Sequence, residues 1–374
     1  MLLQKLSLKN FRNYEDITVE FNRGGNLLFG DNGEGKTNFL ESIYYLSVFR
    51  SFKKSSSSEI ARWETDGFHV SGFFETGSAI KRSIDVSWKI GQKKRVFFEG
   101  ERIPKISGLI GMFPAVIMSP ESQEISQGLP RERRRFLDIC ISMVDSEYLQ
   151  NLMAYKRVIR QRNKFLLLYV PGRQKYLAAL EPWDIKLVQH GTFLIKRRLE
   201  AIDKLSAACR EMYAEISGGR EELTVEYQST IPDLNRIEES FRTQLMCSRD
   251  DEKRRKTTLT GPHRDDIKFC LNGYDARKFA SQGQHKTILL ALKSAELKYI
   301  SEHKDIQPVI LLDDLFALLD RTRILAFLNI LRSYGQFFIT ANSEIKPETL
   351  LSQAGFQVSE FSQYFVKGGQ IKKN

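Results

Sequence analysis

No apolar run in this chain of 374 residues is long enough to span a bilayer. The opening segment, Met-Leu-Leu-Gln-Lys-Leu-Ser-Leu-Lys-Asn, lacks the long apolar stretch and small-residue cleavage site of a secretory leader. Membrane spans and secretion are therefore not expected. Cysteine is scarce: Cys140, Cys209, Cys247 and Cys270 are isolated, with no Cys-x-x-Cys pair and no paired histidines. That spacing argues against a disulfide framework and a zinc site, and points to a reducing, cytoplasmic setting. No internal repeat and no sustained heptad occurs, so a long coiled coil is not expected either. Cationic charge is plentiful. The net charge of +11 and a pI near 9.3 favour a polyanionic partner.

At 374 residues the chain exceeds what one core usually holds, so two domains or one interrupted domain are expected. Leu6 and Leu8, then Ile17, Val19 and Phe21, alternate with polar residues as half-buried strands do. A short strand from Asn26 to Phe29 leads into a glycine-rich loop, and a helix from Thr37 to Val48 follows. Ser51 to Glu59 is polar and reads as a mobile loop. Residues 68–101 read as antiparallel strands, and Val116 to Met118 as a short apolar one. Near residue 120 the texture becomes helical. Helices are expected from Pro130 to about Met143, from Asp145 or Ser146 to before Pro171, from Glu181 to Ile216, and between Pro232 and Arg249. Strand signals return at Ile267, Phe269 and Leu271. A helix follows from His285 to Ile300, and the apolar runs at Pro308 to Leu312 and Phe337 to Thr340 suit buried parallel strands.

Gly30, Gly35, Lys36 and Thr37 satisfy the GxxxxGK[ST] phosphate-binding pattern, with a strand before it and a helix after it. Glycines let backbone N–H groups face the phosphates of ATP. Lys36 reaches the terminal phosphates, the Thr37 hydroxyl is a ligand for Mg²⁺, and the helix N-terminus adds its dipole. Such a loop requires an acid at the end of a buried strand. Asp313 is the expected metal-side carboxylate and Asp314 the group that polarises the attacking water. Lys36 and Asp313 are far apart in sequence, although their strands should be neighbours. The helical middle is therefore read as an insertion: 1–120 plus 254–374 form the nucleotide domain, and 121–253 an inserted lobe. Ser281, Gln282, Gly283 and Gln284 precede the helix ahead of the acidic strand, where ABC-type ATPases carry a signature. That likeness implies contact with the γ-phosphate held by a second copy, and hence a head-to-tail homodimer around two ATP molecules.

Several motifs recur together and in order: Leu8-Lys9-Asn10-Phe11-Arg12-Asn13-Tyr14, Ser119-Pro120-Glu121, Arg133-Arg134-Arg135-Phe136-Leu137-Asp138, Thr260-Gly261-Pro262-His263-Arg264-Asp265-Asp266, and the loop, signature and acidic strand already named. In this set the chain resembles the RecF family, bacterial recombination and repair ATPases of the SMC-like ABC group. The resemblance runs from the first strand to Thr340. It implies an α/β ABC-type P-loop ATPase head with an inserted, mainly helical lobe and a short arm. It also implies ATP-driven dimerisation on double-stranded DNA or single-strand/double-strand junctions, slow hydrolysis as a reset, and action with RecO and RecR to load RecA. Gly30, Asp31, Asn32, Gly33, Glu34, Gly35, Lys36, Thr37 and Asn38 become the expected nucleotide segment, with Arg12 a further contact.

The sequence departs from the family at two places. Ala317-Leu318-Leu319-Asp320 stands where Ser-Glu-Leu-Asp is usual, so Asp320 remains while a hydroxyl and a carboxylate are gone from the loop that crosses the dimer. Thr340 stands where many ABC ATPases have a switch histidine. Ser119 to Glu121, or Gln123, is expected to sense the metal, and His263 to be structural. Arg133, Arg134 and Arg135, and Lys253, Arg254, Arg255 and Lys256, are the candidate DNA contacts, made to the backbone rather than to base edges. A transporter ATPase subunit is the rival reading, but Ala280 before Ser281 does not match LSGGQ; another SMC-like ATPase is a second.

Overall fold

The computed structural model describes residues 1–77, 80–168, 173–315, 319–342 and 347–373. The chain divides into two compact units. The first comprises 1–123, 208–222 and 280–374, and the second 124–207 and 223–279. The expected pieces differ from these units at three places: 121–123 and 208–222 belong with the first, and 254–279 with the second.

The first unit holds two six-stranded sheets. One is antiparallel, in the order β2-β1-β4-β5-β6-β7, formed by Leu2–Phe11 (β1), Tyr14–Glu20 (β2), Gly67–Glu75 (β4), Lys81–Lys89 (β5), Arg95–Phe98 (β6) and Glu101–Arg102 (β7). In β1 the buried residues are Leu3, Leu6, Leu8 and Phe11. Strict alternation would put Leu3 and Leu6 on opposite faces. A register shift between Leu3 and Lys5 inserts the extra residue that lets both point inward.

The other sheet runs β15-β14-β3-β13-β12-β8, from Gly25–Phe29 (β3), Ala115–Met118 (β8), Val309–Leu312 (β12), Phe337–Ala341 (β13), Phe361–Lys367 (β14) and Gln370–Lys373 (β15). Strands β14, β3, β13, β12 and β8 are all parallel, and β15 turns back along β14. Every residue of β8, β12 and β13 is buried, as expected for strands covered on both faces. The expectation that the P-loop strand adjoins the acidic strand is corrected: β13 lies between β3 and β12. Helix α1 (Lys36–Val48) follows the loop after β3. The segment expected to be a mobile loop instead contains a short helix, α2 (Ser57–Ile60), closed by a capping box between Ser56 and Glu59.

The second unit contains α3 (Glu124–Gln127), α4 (Pro130–Val144) and α5 (Ser146–Leu168), with α7 (Ile237–Cys247), α8 (Arg249–Arg255) and α9 (Ala276–Phe279). It also has a three-stranded antiparallel sheet of β9 (Leu223–Gln228), β10 (Asp266–Leu271) and β11 (Tyr274–Asp275). Helix α6 (Arg173–Ser217) starts well before the expected Glu181 and continues through Pro182. Its residues 173–207 belong to the second unit and 208–217 to the first. Helix α10 (Gln282–Lys304) returns the chain to the first unit. Among the described residues no helix is long and apolar enough to cross a membrane.

Candidate nucleotide site

The C-terminal ends of the parallel strands gather the candidate residues. The loop Gly30–Gly35 leaves β3, Thr340 lies near the end of β13, Asp313 follows β12, and Ser119 follows β8. Outside the carboxyl ends of an open parallel sheet is where such folds bind ligands. Two loop glycines are dictated by close approach. A Cβ on Gly30 would lie 2.3 Å from the Val366 carbonyl, and one on Gly35, at φ +117°, would lie 2.3 Å from the Asn13 side chain.

The Lys36 ammonium is buried and donates to the carbonyls of Gly30 at 2.6 Å and Asp31 at 2.9 Å. It forms no ion pair among the described residues. Thr37 donates its hydroxyl to Asp313 Oδ1 at 2.9 Å, and Thr340 donates to the same oxygen at 2.9 Å. This joins three residues expected to act together, across the intervening strand. Burial raises the Asp313 pKa above the usual carboxylate value. The bonds from Thr37 and Thr340 oppose that rise, while the charges of Asp314 and Glu121 add to it. Glu121, expected as part of the metal-sensing segment, therefore lies within electrostatic reach of Asp313. The backbone N–H of Asp314 donates to the Thr340 hydroxyl at 2.9 Å. Asp314 itself is left-handed, at φ +55°, which Asp tolerates better than most residues and which turns the chain sharply off the strand.

The loop is braced from two sides. Asn13 donates to the Glu34 carbonyl at 2.8 Å and accepts from the Asn38 side chain at 2.9 Å, while Tyr14 donates to the Gly35 carbonyl at 2.9 Å. On the other side the Gly368 N–H, in the turn between β14 and β15, donates to the Glu34 carboxylate. Sequence reasoning overlooked this hairpin. Its signals were the alternation of Ser362, Tyr364 and Val366, all buried, and the Gly368-Gly369 turn.

Other expectations are redirected. Arg12 is committed to the protein: it grips the buried Glu41 with two bonds of 2.8 Å, and bonds Ser55 and the Glu59 carbonyl at 2.7 Å each. These bonds, and that of Ser51 to Glu41, tie down the segment expected to be mobile. Ser281 caps α10 by bonding Gln284, and the Gln284 side chain reaches Glu221. Asp320 caps the helix Arg321–Leu331. Ala317 and Leu318 of the altered loop lie outside the described residues.

The first cationic run is mainly architectural, which corrects the DNA assignment for Arg133. That residue is buried and pairs with Asp266 through bonds of 2.7 and 2.9 Å. Arg134 donates to the Asp265 carbonyl at 2.5 Å, and Arg135 is partly buried. On α8, Lys253, Arg254 and Arg255 are exposed, as is Lys256 at its C-cap, with Arg254 paired to Asp251 at 2.5 Å. A cationic face that sequence reasoning missed lies on α5. Arg157, Arg160 and Lys164 are exposed and recur at helical spacing, within an arc of roughly 60° at 100° per residue, and no acid follows Glu147 in that helix. The i, i+3, i+7 spacing was the available signal.

The RecF/RecN/SMC N-terminal domain family matches residues 2–359. The DNA replication and repair protein RecF of Desulfitobacterium hafniense is 38% identical over 376 aligned residues, covering 99% of each chain. A solved structure of the recombination mediator protein RecF-ATP in the RecFOR pathway superposes with a TM-score of 0.88 at 31% identity, covering 100% of this chain and 97% of that one. An SMC head bound to the C-winged helix domain of ScpA gives a TM-score of 0.56 at 14% identity, covering 100% and 97%, a likeness of fold alone.

Proposed function

The chain belongs to the RecF family, and on that premise we propose that it is an ATP-gated DNA-binding protein of replication and recombinational repair. The observation that carries this reading is the convergence of Lys36, Thr37 and Asp313 at one end of the parallel sheet. A buried ammonium facing only carbonyls is a receptor for the anionic β- and γ-phosphates of ATP. Thr37 and Asp313 offer hard oxygen donors on one shared bond, the donor chemistry that suits Mg²⁺, whose remaining ligands come from phosphate and water. They would hold the metal, which supplies charge neutralisation between the terminal phosphates. Asp314 would accept the proton of the attacking water. Thr340, which already bonds both Asp313 and the Asp314 N–H, would report the γ-phosphate to that pair.

A second copy completes the site. The N-terminus of α10, with Ser281 at its cap, would close over the γ-phosphate in trans, so ATP favours a dimer and hydrolysis releases it. Weak, DNA-stimulated turnover then works as a reset. Double-stranded DNA and single-strand/double-strand junctions are the expected polyanions, bound through their backbones by the exposed cations of α5 and α8. RecO and RecR are the expected partners in loading RecA, in the cytoplasm.

Sedimentation with and without ATP and duplex DNA tests this reading. Wild type is expected to dimerise with ATP, and Asp314→Asn to remain dimeric with ATP while turnover falls at least about a hundredfold. Charge reversal at Arg157, Arg160 and Lys164 is expected to weaken DNA binding and to flatten its salt dependence by about three counterions. A wild-type chain that stays monomeric with ATP, or an Asp314→Asn variant with full turnover, would reject the mechanism.

A further inference from the structure

The first turn of α10 is more tightly specified than a helix cap requires. Ser281 and Gln284 form a reciprocal capping box: Gln284 Oε1 accepts from the Ser281 N–H at 2.6 Å, and the Ser281 hydroxyl accepts from the Gln284 N–H at 3.3 Å. In an ordinary box the N3 side chain ends there. Here the Gln284 amide continues, donating from Nε2 to Glu221 Oε1 at 2.5 Å. The other Glu221 oxygen accepts from the Tyr213 hydroxyl at 2.6 Å. Only one orientation of the amide satisfies both neighbours, since the Ser281 N–H needs an acceptor and the carboxylate needs a donor. Glu221 therefore fixes a terminal torsion that is otherwise broad.

Burial and the Glu221 hydrogen bond both raise the Tyr213 pKa, so the phenol keeps its proton and remains a donor to Glu221. Tyr213 is itself almost fully buried, in the last turns of α6. A second tether acts one turn further along α10: Arg323 Nε donates to the Thr287 hydroxyl at 2.7 Å, and Arg323 also pairs with Asp320. Both tethers lie within the first unit.

The Ser281 hydroxyl accepts through a lone pair in this arrangement, so its own hydrogen can be given to an incoming oxygen anion. Gly283 opens the adjacent surface; a Cβ there would have no atom nearer than 3.6 Å, that atom being the Arg323 guanidinium. We propose that Glu221, held by Tyr213, is a positioning residue for the signature: it locks the Gln284 amide and so presents the Ser281 hydroxyl and the first N–H groups of α10 to the nucleotide of a second copy. The proposal rests on the reading that Ser281 acts in trans. Glu221 touches no nucleotide and acts only through Gln284. The grip is built on the end of α6, the same helix whose residues 173–207 belong to the second unit.

The test compares Glu221→Leu, Glu221→Gln and Ser281→Arg in the full chain. Three readouts are taken: ATP affinity by equilibrium binding, ATP-dependent dimerisation by sedimentation, and steady-state turnover. Glu221→Leu is expected to bind ATP within about twofold of wild type, because the P-loop is intact, while dimerisation and kcat each fall about tenfold. Glu221→Gln keeps an acceptor for the Gln284 amide and is expected to recover to within about threefold of wild type. That split between binding and turnover, with rescue by an uncharged acceptor, would not follow from a general loss of structure. If Glu221→Leu lowers the thermal midpoint, Tyr213→Phe decides, since it deletes one hydroxyl; about threefold weaker dimerisation supports the proposal and wild-type behaviour overturns it. Wild-type dimerisation and turnover in Glu221→Leu, beside an inactive Ser281→Arg, overturns the positioning role and leaves the trans site standing. A Glu221→Gln variant as impaired as Glu221→Leu also overturns it. If Ser281→Arg itself dimerises and turns over normally, the trans site is what fails.

Discussion

Lys36 and Asp313, in the first unit, are buried groups with no counter-ion among the described residues, whereas Arg162 and Arg198, in the second, are buried ions with every guanidinium nitrogen bonded. Arg162 is fully buried and bonds Asp184 at 2.8 Å, Glu252 at 2.7 Å and Thr258 at 2.9 Å. Glu252 in turn accepts the Leu259 N–H at 2.8 Å. Arg198 bonds Asp138 at 2.8 Å, the Pro262 carbonyl at 2.6 Å and the Tyr148 hydroxyl at 3.0 Å. Among the described residues the Lys36 ammonium meets only carbonyls, and the Asp313 carboxylate only the Thr37 and Thr340 hydroxyls. A buried charge costs several kcal/mol unless it is paired, so evolution retains an unpaired one only where something else pairs it. The contrast separates two uses of one chemistry: closed networks specify architecture, and open ones wait for a charged ligand.

The largest effect should come from opening a closed network. Arg162→Met would leave Asp184 with Arg249 alone and Glu252 with no cation, at a cost of about 3–5 kcal/mol. Urea unfolding should show the loss as an earlier transition, while ATP affinity, set in the first unit, stays near wild type. A transition unmoved by the substitution would mean that these carboxylates find water or other partners, and the contrast between the units would lose its basis.

The converse should hold for the open site, with a smaller effect of opposite sign. Asp313→Asn keeps an acceptor for Thr37 and Thr340 and removes a charge that burial, Asp314 and Glu121 all disfavour. In buffer without metal or nucleotide its thermal midpoint should rise above wild type. With Mg²⁺ and ATP the order should reverse, because wild type gains binding energy that the variant has lost. Melting curves in both conditions check this; a variant destabilised in metal-free buffer would show that Asp313 is already satisfied.

The open site was readable from local sequence and the closed networks were not, for a physical reason. Gly30, Gly35, Lys36 and Thr37 lie within one short stretch of loop and helix start, so their spacing alone marks the candidate site. The apolar strand ending at Asp313 is similarly local. By contrast, Arg12 finds Glu41 through a turn and a helix, Arg133 meets a carboxylate 133 positions away, and Gly368 meets Glu34 across 334 positions. A run such as Arg133 to Arg135 looks like a phosphate-binding stripe until the fold brings Asp265 and Asp266 to it. The exposed cations of α5 show the reverse: whether they form one face depends on which side of the helix stays exposed, which only packing decides. The order β3-β13-β12 was misjudged for the same reason, since sequence gives a strand's existence and not its neighbours.

His263 gives the finest test of saturation, because its network can be opened by pH alone. Its Nε2 faces the Thr258 carbonyl at 3.1 Å and must carry the hydrogen, so Nδ1 accepts from the Tyr155 hydroxyl at 2.8 Å. Burial, aided by the positive charges of Arg264, Arg134 and Arg162 and opposed by the Thr258 bond, lowers its pKa to about 4. The unfolded chain binds this proton near an ordinary histidine pKa of about 6.5. Between those two values the unfolded state holds the extra proton, so stability falls as pH drops through the window and is fully present above it. Protonation would also reverse the Nδ1 bond, so that the imidazolium donates to the Tyr155 oxygen and the phenol hydrogen loses its acceptor. Wild type should therefore lose up to about 1.4 kcal/mol per pH unit from this one residue between pH 6.5 and 4. His263→Gln, which cannot titrate, should be less stable than wild type at pH 7.5 and should show a shallower decline. Equilibrium unfolding at a series of pH values measures both slopes. Parallel slopes would mean that His263 is charged or solvated in the folded chain and that the second unit is less completely closed than its buried arginines suggest.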